Sequence, residues 1–311
     1  MRTAFIDALI KAAHADDKIW LLTGDLGYSV LEPFRAAFPD RYINAGVAEQ
    51  NMIGVAAGLA LSGAQVFVYS ICNFVTLRCL EQIRNDLCYH KANVKVVGVG
   101  SGLSYGVHGY THHAVEDIAV TRALPNMTVL CPGDPVEARW AAEVATCHNG
   151  PAYIRIGKAG EPALHAQPLD GVALGKAVRL REGDDATLFA VGNMLESTLK
   201  AAALLEAQGF GVGVVSMPCV KPLDEAFVAA EAARVPLVAT VEEHVQCGGF
   251  GEAIAGVMAR SSGARARLLS FAVGDAIVSG LVGDQNHLRN LLGLSPQHIA
   301  DGVTQALGAK R

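Results

Sequence analysis

Three glycine-containing segments concentrate the polar side chains that could do chemistry, and each follows a short apolar stretch. They are Gly-Asp-Leu-Gly-Tyr-Ser at 24–29, Asn-Ala-Gly-Val-Ala-Glu-Gln-Asn at 44–51, and a histidine-containing run at 100–113. Carboxylates and imidazoles are the groups that most often move protons in enzymes. Because ligands of open α/β sheets bind beyond the carboxyl ends of the strands, we expect the three segments to form one shared site.

Glu49 is the most informative carboxylate of this set. It precedes an almost wholly apolar stretch, residues 51–61, in which Gly54 and Gly58 are four positions apart, and this pattern predicts a closely packed helix. A carboxylate at the N-terminal end of a helix is stabilised by the helix dipole, but its burial is costly without a hydrogen-bond partner. From local sequence, both a helix-capping role and a functional role are open.

His112 and His113 are adjacent in the third segment. The pair is compatible with simple loop polarity, with proton transfer or hydrogen bonding to a substrate, and with metal binding. Metal binding is the weakest of the three, because adjacent histidines rarely ligate one ion and no acidic or cysteine partner lies at ligand spacing. The glycines at 98–102 lack the third glycine of a dinucleotide fingerprint, so a nicotinamide enzyme is a weak alternative.

The elements that must position these residues alternate between short β-branched stretches and amphipathic helices. Strands are predicted at 64–69, 93–99 and 128–131, and a helix is predicted at 135–144. Strand, glycine turn and helix in alternation are typical of a parallel sheet with helices on both faces. The sequence therefore predicts an α/β fold.

This alternation lapses at 159–173, where polar and small residues include two prolines, and then resumes. We place a domain boundary there, with one domain at 1–165 and a second at 166–311. The second domain repeats the pattern, with strands and one helix predicted at 186–192, 194–208, 212–216 and 236–241. The fold class is thus two consecutive parallel-sheet, three-layer α/β domains.

Composition favours a well-buried protein. The 311 residues are 51% hydrophobic and 18% charged, with a net charge of −5, so disorder is excluded as the main state and no nucleic-acid partner is expected. No apolar run approaches the roughly 20 residues of a membrane span, and the N-terminus lacks a signal-peptide pattern. Seven cysteines without a Cys-x-x-Cys pair predict reduced thiols, a cytoplasmic location and no zinc site.

Taken in chain order, the motifs resemble the transketolase family. The segment at 44–51, Glu-Gln-Ile-Arg at 81–84 and Gly-Tyr-Thr-His-His at 109–113 resemble its pyrimidine-binding domain. Lys-Pro-Leu-Asp at 221–224 and Gly-Gly-Phe-Gly at 248–251 resemble the transketolase C-terminal domain. The resemblance covers effectively the whole chain, with its motifs in family order.

The resemblance implies thiamine diphosphate as the cofactor. Glu49 is then the catalytic carboxylate that hydrogen-bonds the aminopyrimidine ring and activates it. Phe74 is implied as the aromatic residue stacked on that ring, and the other cofactor-binding positions implied are Asp25, Leu26 and Ser70.

One family motif has no counterpart in this chain. The family holds the diphosphate and Mg²⁺ through Gly-Asp-Gly, whereas Gly-Asp occurs here at 24, 133, 183, 274 and 283 without the second glycine. The resemblance therefore implies a separate N-terminal transketolase subunit that holds Mg²⁺ (or Ca²⁺), with no metal ligand in this chain. It also implies self-association, as an α2β2 assembly.

Substrate residues are implied in the same way. His112 matches the family histidine that contacts the reacting carbonyl and hydroxyl, with His113 the weaker position beside it. His108 falls where many sugar transketolases have an aspartate that contacts a substrate hydroxyl, which puts the usual sugar preference in doubt. Positions implied for a substrate phosphate are Arg2, Ser29 and Lys158, with Arg155 as a second cation on the same strand. Glu-Glu-His at 242–244 is expected to be structural.

The activity implied is transfer of a two-carbon ketol unit from a ketose, expected to be phosphorylated, to an aldehyde acceptor. Two enzyme alternatives share the domain plan: a 1-deoxyxylulose-5-phosphate synthase-like enzyme that uses pyruvate, and the beta subunit of a 2-oxoacid dehydrogenase. A non-catalytic scaffolding relative is a further alternative. Glu49, Thr111 and His112 argue against the scaffold, because a scaffold has no need for a carboxylate and an imidazole in those turns.

Overall fold

The computed structural model describes residues 1–274 and 282–308. Within them the chain forms two mostly parallel sheets with helices on their faces, which confirms the predicted α/β class. The predicted second domain, 166–311, includes residues 275–281 and 309–311, which lie outside the described part.

The first sheet has the strand order β10-β5-β6-β4-β3-β1-β2. Its strands are β1 (Ile19–Thr23), β2 (Tyr42–Asn44), β3 (Gln65–Ile71), β4 (Val94–Val99), β5 (Thr128–Leu130), β6 (Ala152–Ile156) and β10 (Cys219–Lys221). The central strands β4 and β6 are buried along their whole length, and β3 is buried up to Ser70, as expected for a parallel sheet covered on both faces. The strands predicted at 64–69, 93–99 and 128–131 are β3, β4 and β5.

The second sheet has the strand order β12-β11-β8-β9-β7. Its strands are β7 (Val178–Arg181), β8 (Ala186–Ala190), β9 (Val212–Ser216), β11 (Leu237–Val245) and β12 (Arg267–Val273). The predicted strands of the second domain correspond to β8, β9 and β11. These three strands form the buried centre of the sheet, which explains why their predicted segments are largely apolar.

Helices cover both sheets. They are α1 (Arg2–Ala15), α2 (Glu32–Ala37), α3 (Glu49–Leu61), α4 (Cys72–Thr76), α5 (Leu80–Gln82), α6 (Asp117–Ala123), α7 (Pro135–Cys147), α8 (Leu195–Ala207), α9 (Glu225–Arg234), α10 (Phe250–Arg260), α11 (Gln285–Leu291) and α12 (Pro296–Leu307). Side chains cap the N-termini of several of these helices. Asp134 accepts a hydrogen bond from the Glu137 N–H at the start of α7, and Asp224 accepts one from the Phe227 N–H at the start of α9. None of the described helices is long and apolar enough to cross a membrane.

Two edge strands depart from the parallel arrangement. β10 pairs antiparallel with β5, and β7 pairs antiparallel with β9. Residues 157–177, which contain the predicted boundary, form neither helix nor strand. Since β10 comes from the chain after that boundary and completes the first sheet, the two sheets are not separated simply by position along the chain.

Candidate functional site

The three polar segments follow β1, β2 and β4, at one edge of the first sheet. β1 pairs in parallel with β2 and β3, and β3 pairs in parallel with β4, so the carboxyl ends of these strands share an edge. Asn44 joins two of the segments directly. Its Oδ1 accepts from the N–H groups of Asp25 and Gly46, each at 3.0 Å, and its Nδ2 donates to Asp25 Oδ1 at 2.9 Å.

Glu49 is the first residue of α3 and is only 2% exposed. One oxygen, Oε2, accepts a hydrogen bond from Arg78 Nη1 at 2.7 Å. The other, Oε1, makes no hydrogen bond within the described part of the chain, and no side chain caps α3. Glu49 is therefore not a capping residue: one oxygen is held by a cation and the other is available to a ligand.

Arg78 was not selected from the sequence. Its side chain is 45% exposed, and its guanidinium carbon lies 4.7 Å from the centre of the Phe74 ring. Arg78 thereby links the predicted catalytic carboxylate to the predicted stacking residue. The signal that could have found it is physical, because a buried carboxylate requires a cation or several N–H donors.

The residues predicted to bind the cofactor lie at this edge in different states of burial. The Phe74 ring is half-buried and packs against His112 with 5.1 Å between ring centres. Ser70, near the end of β3, is fully buried and its hydroxyl has no partner in the described chain. Leu26 is half-buried and Asp25 is exposed, in the segment that Asn44 organises.

A cleft of about 410 Å³ opens beside Arg78 and Phe74. It is lined by Asn73, Phe74, Leu77, Arg78, Tyr110, Thr111, His113 and Glu116. A second cleft, of about 480 Å³, lies between α7 and residues 169–174 and contains none of the predicted site residues. Of the predicted site residues, Phe74 and His113 line the first cleft together with Arg78, and none lines the larger one.

His112 and His108 form a close pair of imidazoles. Their ring centres are 4.9 Å apart, and His112 Nδ1 lies 3.0 Å from the Thr111 hydroxyl. Partial burial lowers the pKa of His112, and the neighbouring imidazoles of His108 and His113 lower it further. His112 is therefore neutral at physiological pH, and its Nε2 makes no hydrogen bond to a described residue.

His113 has a different environment. It is 2% exposed, its Nε2 lies 3.4 Å from the carbonyl oxygen of Gly106, and its Nδ1 has no partner in the described chain. Burial lowers the pKa of His113. Among residues 1–274 and 282–308, no group of three histidine, cysteine or acidic side chains is placed to hold a metal ion.

The predicted phosphate-binding residues separate into two groups. Lys158 and Arg2 are half-buried, and the lysine Nζ lies 4.7 Å from the centre of the Tyr105 ring. The charge of Arg2 lowers the pKa of Tyr105, against the larger rise that burial causes. Ser29 is exposed, and its N–H donates to Glu32 Oε1 at 2.9 Å. It lies in the segment after β1, on the same edge of the sheet.

Arg155 does not reach the site. Its side chain is fully buried, and its Nε donates to Asp117 Oδ2 at 2.7 Å. Its Nη2 donates to the carbonyl oxygens of Ala114 and Glu243, at 2.8 and 3.0 Å. These bonds leave no exposed surface for a substrate phosphate, so the structure places Arg155 beneath the third segment rather than among the ligand-facing residues.

The Glu-Glu-His sequence at 242–244 is engaged in structural bonds. Glu242 accepts from the Phe250 and Gly251 N–H groups at the start of α10, each at 2.7 Å, and burial raises its pKa to about 7. His244 Nε2 accepts from the Ala119 N–H at 3.2 Å, and burial lowers its pKa to about 4. Neither group faces the cleft, in agreement with the structural role expected from the sequence.

Glu243 has a role that the sequence did not indicate. Its Oε2 accepts from the Leu103 N–H at 3.0 Å, so a strand of the second sheet holds the third segment of the site. The position of Gly102 depends on this contact: its φ is +59°, and a Cβ there would lie 2.1 Å from Glu243 Oε2. A side chain at 102 would displace the segment from its anchor.

Comparison with known proteins gives the same domains in the same order. Residues 1–160 match the family described as transketolase, pyrimidine binding domain, and residues 175–299 match transketolase, C-terminal domain. One of the subunits of an apulose-4-phosphate transketolase from Phocaeicola vulgatus is 36% identical over 251 residues, covering 80% of each chain. A 6-deoxy-6-sulfo-D-fructose transketolase subunit of a Clostridium species is 36% identical over 300 residues, covering 96% of this chain and 92% of the relative.

A 1-deoxy-D-xylulose-5-phosphate synthase of Heliobacterium modesticaldum is 32% identical over 309 residues, which cover 99% of this chain and 47% of that protein. A solved structure described as a split gene transketolase, inactive beta4 tetramer, superposes with a TM-score of 0.88. It is 36% identical and is covered to 98%, with 100% of this chain matched. On these matches and on the arrangement around Glu49, the chain belongs to the transketolase family, of which it carries the pyrimidine-binding and C-terminal domains.

Proposed function

We propose that the chain is the C-terminal subunit of a split, thiamine diphosphate-dependent transketolase. The reaction is transfer of a two-carbon ketol unit from a phosphorylated ketose to an aldehyde acceptor. The observation that carries the proposal is the state of Glu49, a buried carboxylate with one oxygen bound to Arg78, which itself lies over the Phe74 ring, and the other oxygen without a hydrogen bond to a described residue. A buried carboxylate with an available oxygen is costly to keep unless it serves a bound group.

The residues present fit thiamine diphosphate. Bound thiamine diphosphate supplies an acidic ring carbon that attacks the ketose and a ring that accepts the resulting electrons. With the cofactor bound, Glu49 Oε1 would share a proton with a nitrogen of the aminopyrimidine ring. The Phe74 ring would offer it an aromatic face, whereas the Ser70 hydroxyl is fully buried and would have to be uncovered to reach it. Asp25 and Leu26 lie in the adjoining segment, where Asn44 bonds Asp25 and the Thr23 hydroxyl donates to the Leu26 carbonyl oxygen.

His112 is the group proposed to act on the substrate. Because Nδ1 is engaged with Thr111, the free Nε2 is the atom that meets the reacting carbonyl and hydroxyl oxygens. A neutral imidazole there can accept a proton from the hydroxyl and return it to the product. His108, 4.9 Å away between ring centres, lies where it can contact the next substrate hydroxyl.

A partner chain is part of the proposal, because the described residues hold no metal-binding group and the sequence has no Gly-Asp-Gly. An N-terminal subunit would supply the diphosphate and Mg²⁺ (or Ca²⁺) site, in an α2β2 assembly. Exposed apolar side chains on the site segments support such a contact; they are Tyr28, Val47, Val107 and Tyr110. The relatives named as subunits support it as well. All seven cysteines are free thiols, which supports a cytoplasmic location.

The test compares Glu49→Gln with wild type, each mixed with the proposed N-terminal subunit, Mg²⁺ and thiamine diphosphate. Ketol transfer from a ketose phosphate should fall about a thousandfold in kcat, because glutamine cannot share the proton. Glu143→Gln, an exposed glutamate of α7, is the matched control and should leave the rate unchanged. Substantial transfer by Glu49→Gln would refute the role of this carboxylate.

The synthase-like alternative is favoured by the similarity to 1-deoxy-D-xylulose-5-phosphate synthases. The two activities differ in the donor substrate, which is a ketose phosphate for a transketolase and pyruvate for the synthase. Release of carbon dioxide from pyruvate by the two-subunit mixture, with no transfer from a ketose phosphate, would replace the transketolase proposal with the synthase.

A further inference from the structure

Tyr105 is the residue around which the predicted substrate residues gather, although no motif selected it. Its ring lies against Gly100, where φ is +79° and a Cβ would come within 2.0 Å of Tyr105 Cε2. A residue with a side chain at position 100 would therefore exclude this ring position. The glycine and the tyrosine are coupled, and together they place a half-buried aromatic ring at the carboxyl end of β4.

Three predicted substrate residues pack around this ring, and a fourth acts on it through its charge. Lys158 Nζ lies 4.7 Å from its centre, and the rings of His108 and His112 lie at 5.6 and 6.0 Å. Arg2 is close enough that its charge opposes the rise that burial causes in the pKa of Tyr105. The ring therefore packs against one cation and two imidazoles, and a second cation acts on it electrostatically.

The hydroxyl of Tyr105 makes no hydrogen bond to any described residue. A half-buried phenol oxygen among basic groups can donate to an anionic oxygen while the cations neutralise its charge. The ring also restricts Lys158, because a cation over an aromatic face is held by the ring quadrupole. Tyr105 thus combines a hydroxyl that is free to donate a hydrogen bond with a ring that restrains the Lys158 ammonium.

We infer that Tyr105 is a specificity-determining residue that selects a phosphorylated aldehyde acceptor, by binding its phosphate end and by holding Lys158 above the same point. The inference rests on the proposed function for the identity of the reaction, but the anion-binding part does not. The contrasting interpretation is that Tyr105 only fills the space above Gly100. A filler would affect folding and all substrates alike, whereas a specificity residue affects the phosphorylated substrate.

The experiment uses the two-subunit enzyme with a matched pair of acceptors, glyceraldehyde 3-phosphate and glyceraldehyde. Tyr105→Phe keeps the ring and removes the hydroxyl. Its KM for the phosphorylated acceptor should rise about tenfold, the effect of one lost hydrogen bond to a charged group, with kcat and the KM for glyceraldehyde unchanged. Tyr89→Phe, which removes an exposed hydroxyl outside the site, is the control. Equal changes for both acceptors would overturn the inference.

The support of Lys158 is tested by a double-mutant cycle. Lys158→Met should raise the KM for glyceraldehyde 3-phosphate strongly in wild type but much less in a Tyr105→Leu background, since the lysine is no longer held there. Additive effects of the two substitutions would show that the ring does not position Lys158.

A binding measurement separates failure of this inference from failure of the proposed function. With lysines labelled at Cε, the NMR signal assigned by Lys158→Met should shift on titration with inorganic phosphate, and should shift less in Tyr105→Phe. If the wild-type mixture transfers no ketol unit, the proposed function fails while this titration still decides the anion site. A phosphate response identical in wild type and Tyr105→Phe would overturn the role of the hydroxyl.

Discussion

Replacing Glu243 should detach the third segment of the site from the second sheet. The carboxylate is fully buried and accepts hydrogen bonds from the Leu103 N–H at 3.0 Å, Asn193 Nδ2 at 3.0 Å and Gln285 Nε2 at 2.9 Å. Its other oxygen accepts from Arg289 Nε at 2.6 Å. Every neighbour is a donor, so only a carboxylate satisfies all of them.

Glu243→Gln keeps the volume but removes the charge and turns an amide NH₂ toward these donors. Arg289, which is 7% exposed, then loses its counter-ion inside the protein. Breaking one partner of a buried ion pair costs about 3–5 kcal/mol. At about 2–4 °C per kcal/mol for chains of 150–250 residues, the melting temperature should fall by about 10 °C.

The measurement is thermal unfolding followed by circular dichroism. Glu196→Gln is the matched control, because Glu196 forms an exposed pair with Lys200 at 2.6 Å, and such a pair is worth less than about 1 kcal/mol. Adding Arg289→Met to Glu243→Gln should recover part of the lost stability, since no buried charge is then left unpaired and the glutamine oxygen still accepts hydrogen bonds. A melting temperature of Glu243→Gln within the change seen for the control would refute the anchoring role.

Two further changes probe other ion pairs. Arg78→Met leaves the Glu49 carboxylate without its hydrogen-bond donor and should lower the free energy of unfolding by about 1–2 kcal/mol. This is less than for a fully buried pair, because Arg78 is 45% exposed. Urea unfolding measures the loss, which should be absent when the same substitution is made in a Glu49→Gln background. For His165, burial lowers the pKa, but the hydrogen bond to Asp134 at 3.1 Å and the charge of Glu137 raise it above its ordinary value. Its stabilisation is therefore full below the unfolded pKa of about 6.5 and is lost as pH rises through the folded pKa. As pH rises through the folded pKa, amide hydrogen exchange at residues 164–165 should accelerate more than the intrinsic exchange rate does. This extra acceleration should be absent in His165→Phe, and an equal pH response in wild type and in His165→Phe would contradict the assignment.

The local patterns were sufficient for the elements and for the placement of the three polar segments at one edge of the first sheet. Buried β-branched runs identified β3, β4 and β5, and the apolar stretch after Glu49 identified α3, because periodicity depends on residues close in sequence. The parallel order of these strands then brought the segments at 24–29, 44–51 and 100–113 to one edge. That inference required only that helices connect neighbouring parallel strands.

The site residues that escaped the sequence are those whose roles depend on contacts distant along the chain. Arg78 is 29 positions from Glu49, in the turn between α4 and α5, where an exposed arginine is unremarkable in the sequence. Tyr105 is recognisable only once Lys158, 53 positions later, lies over its ring. Arg155 was selected for its charge, but a partner 38 positions away, Asp117, holds it inside the protein.

The second sheet supports the site although it contributes no predicted ligand-facing residue. β11 contacts the third segment near both of its ends: Glu243 holds the Leu103 N–H, and the Val245 N–H donates to the carbonyl oxygen of Val115 at 2.8 Å. Arg155 links the same stretch to β11, because its Nη2 donates to the carbonyl oxygens of both Ala114 and Glu243. The imidazoles of the third segment are therefore held in place by a strand of the other sheet. It follows that substitutions in β11 should appear as changes in KM before they abolish folding, because displacement of a positioned group by about 1 Å is enough to reduce catalysis.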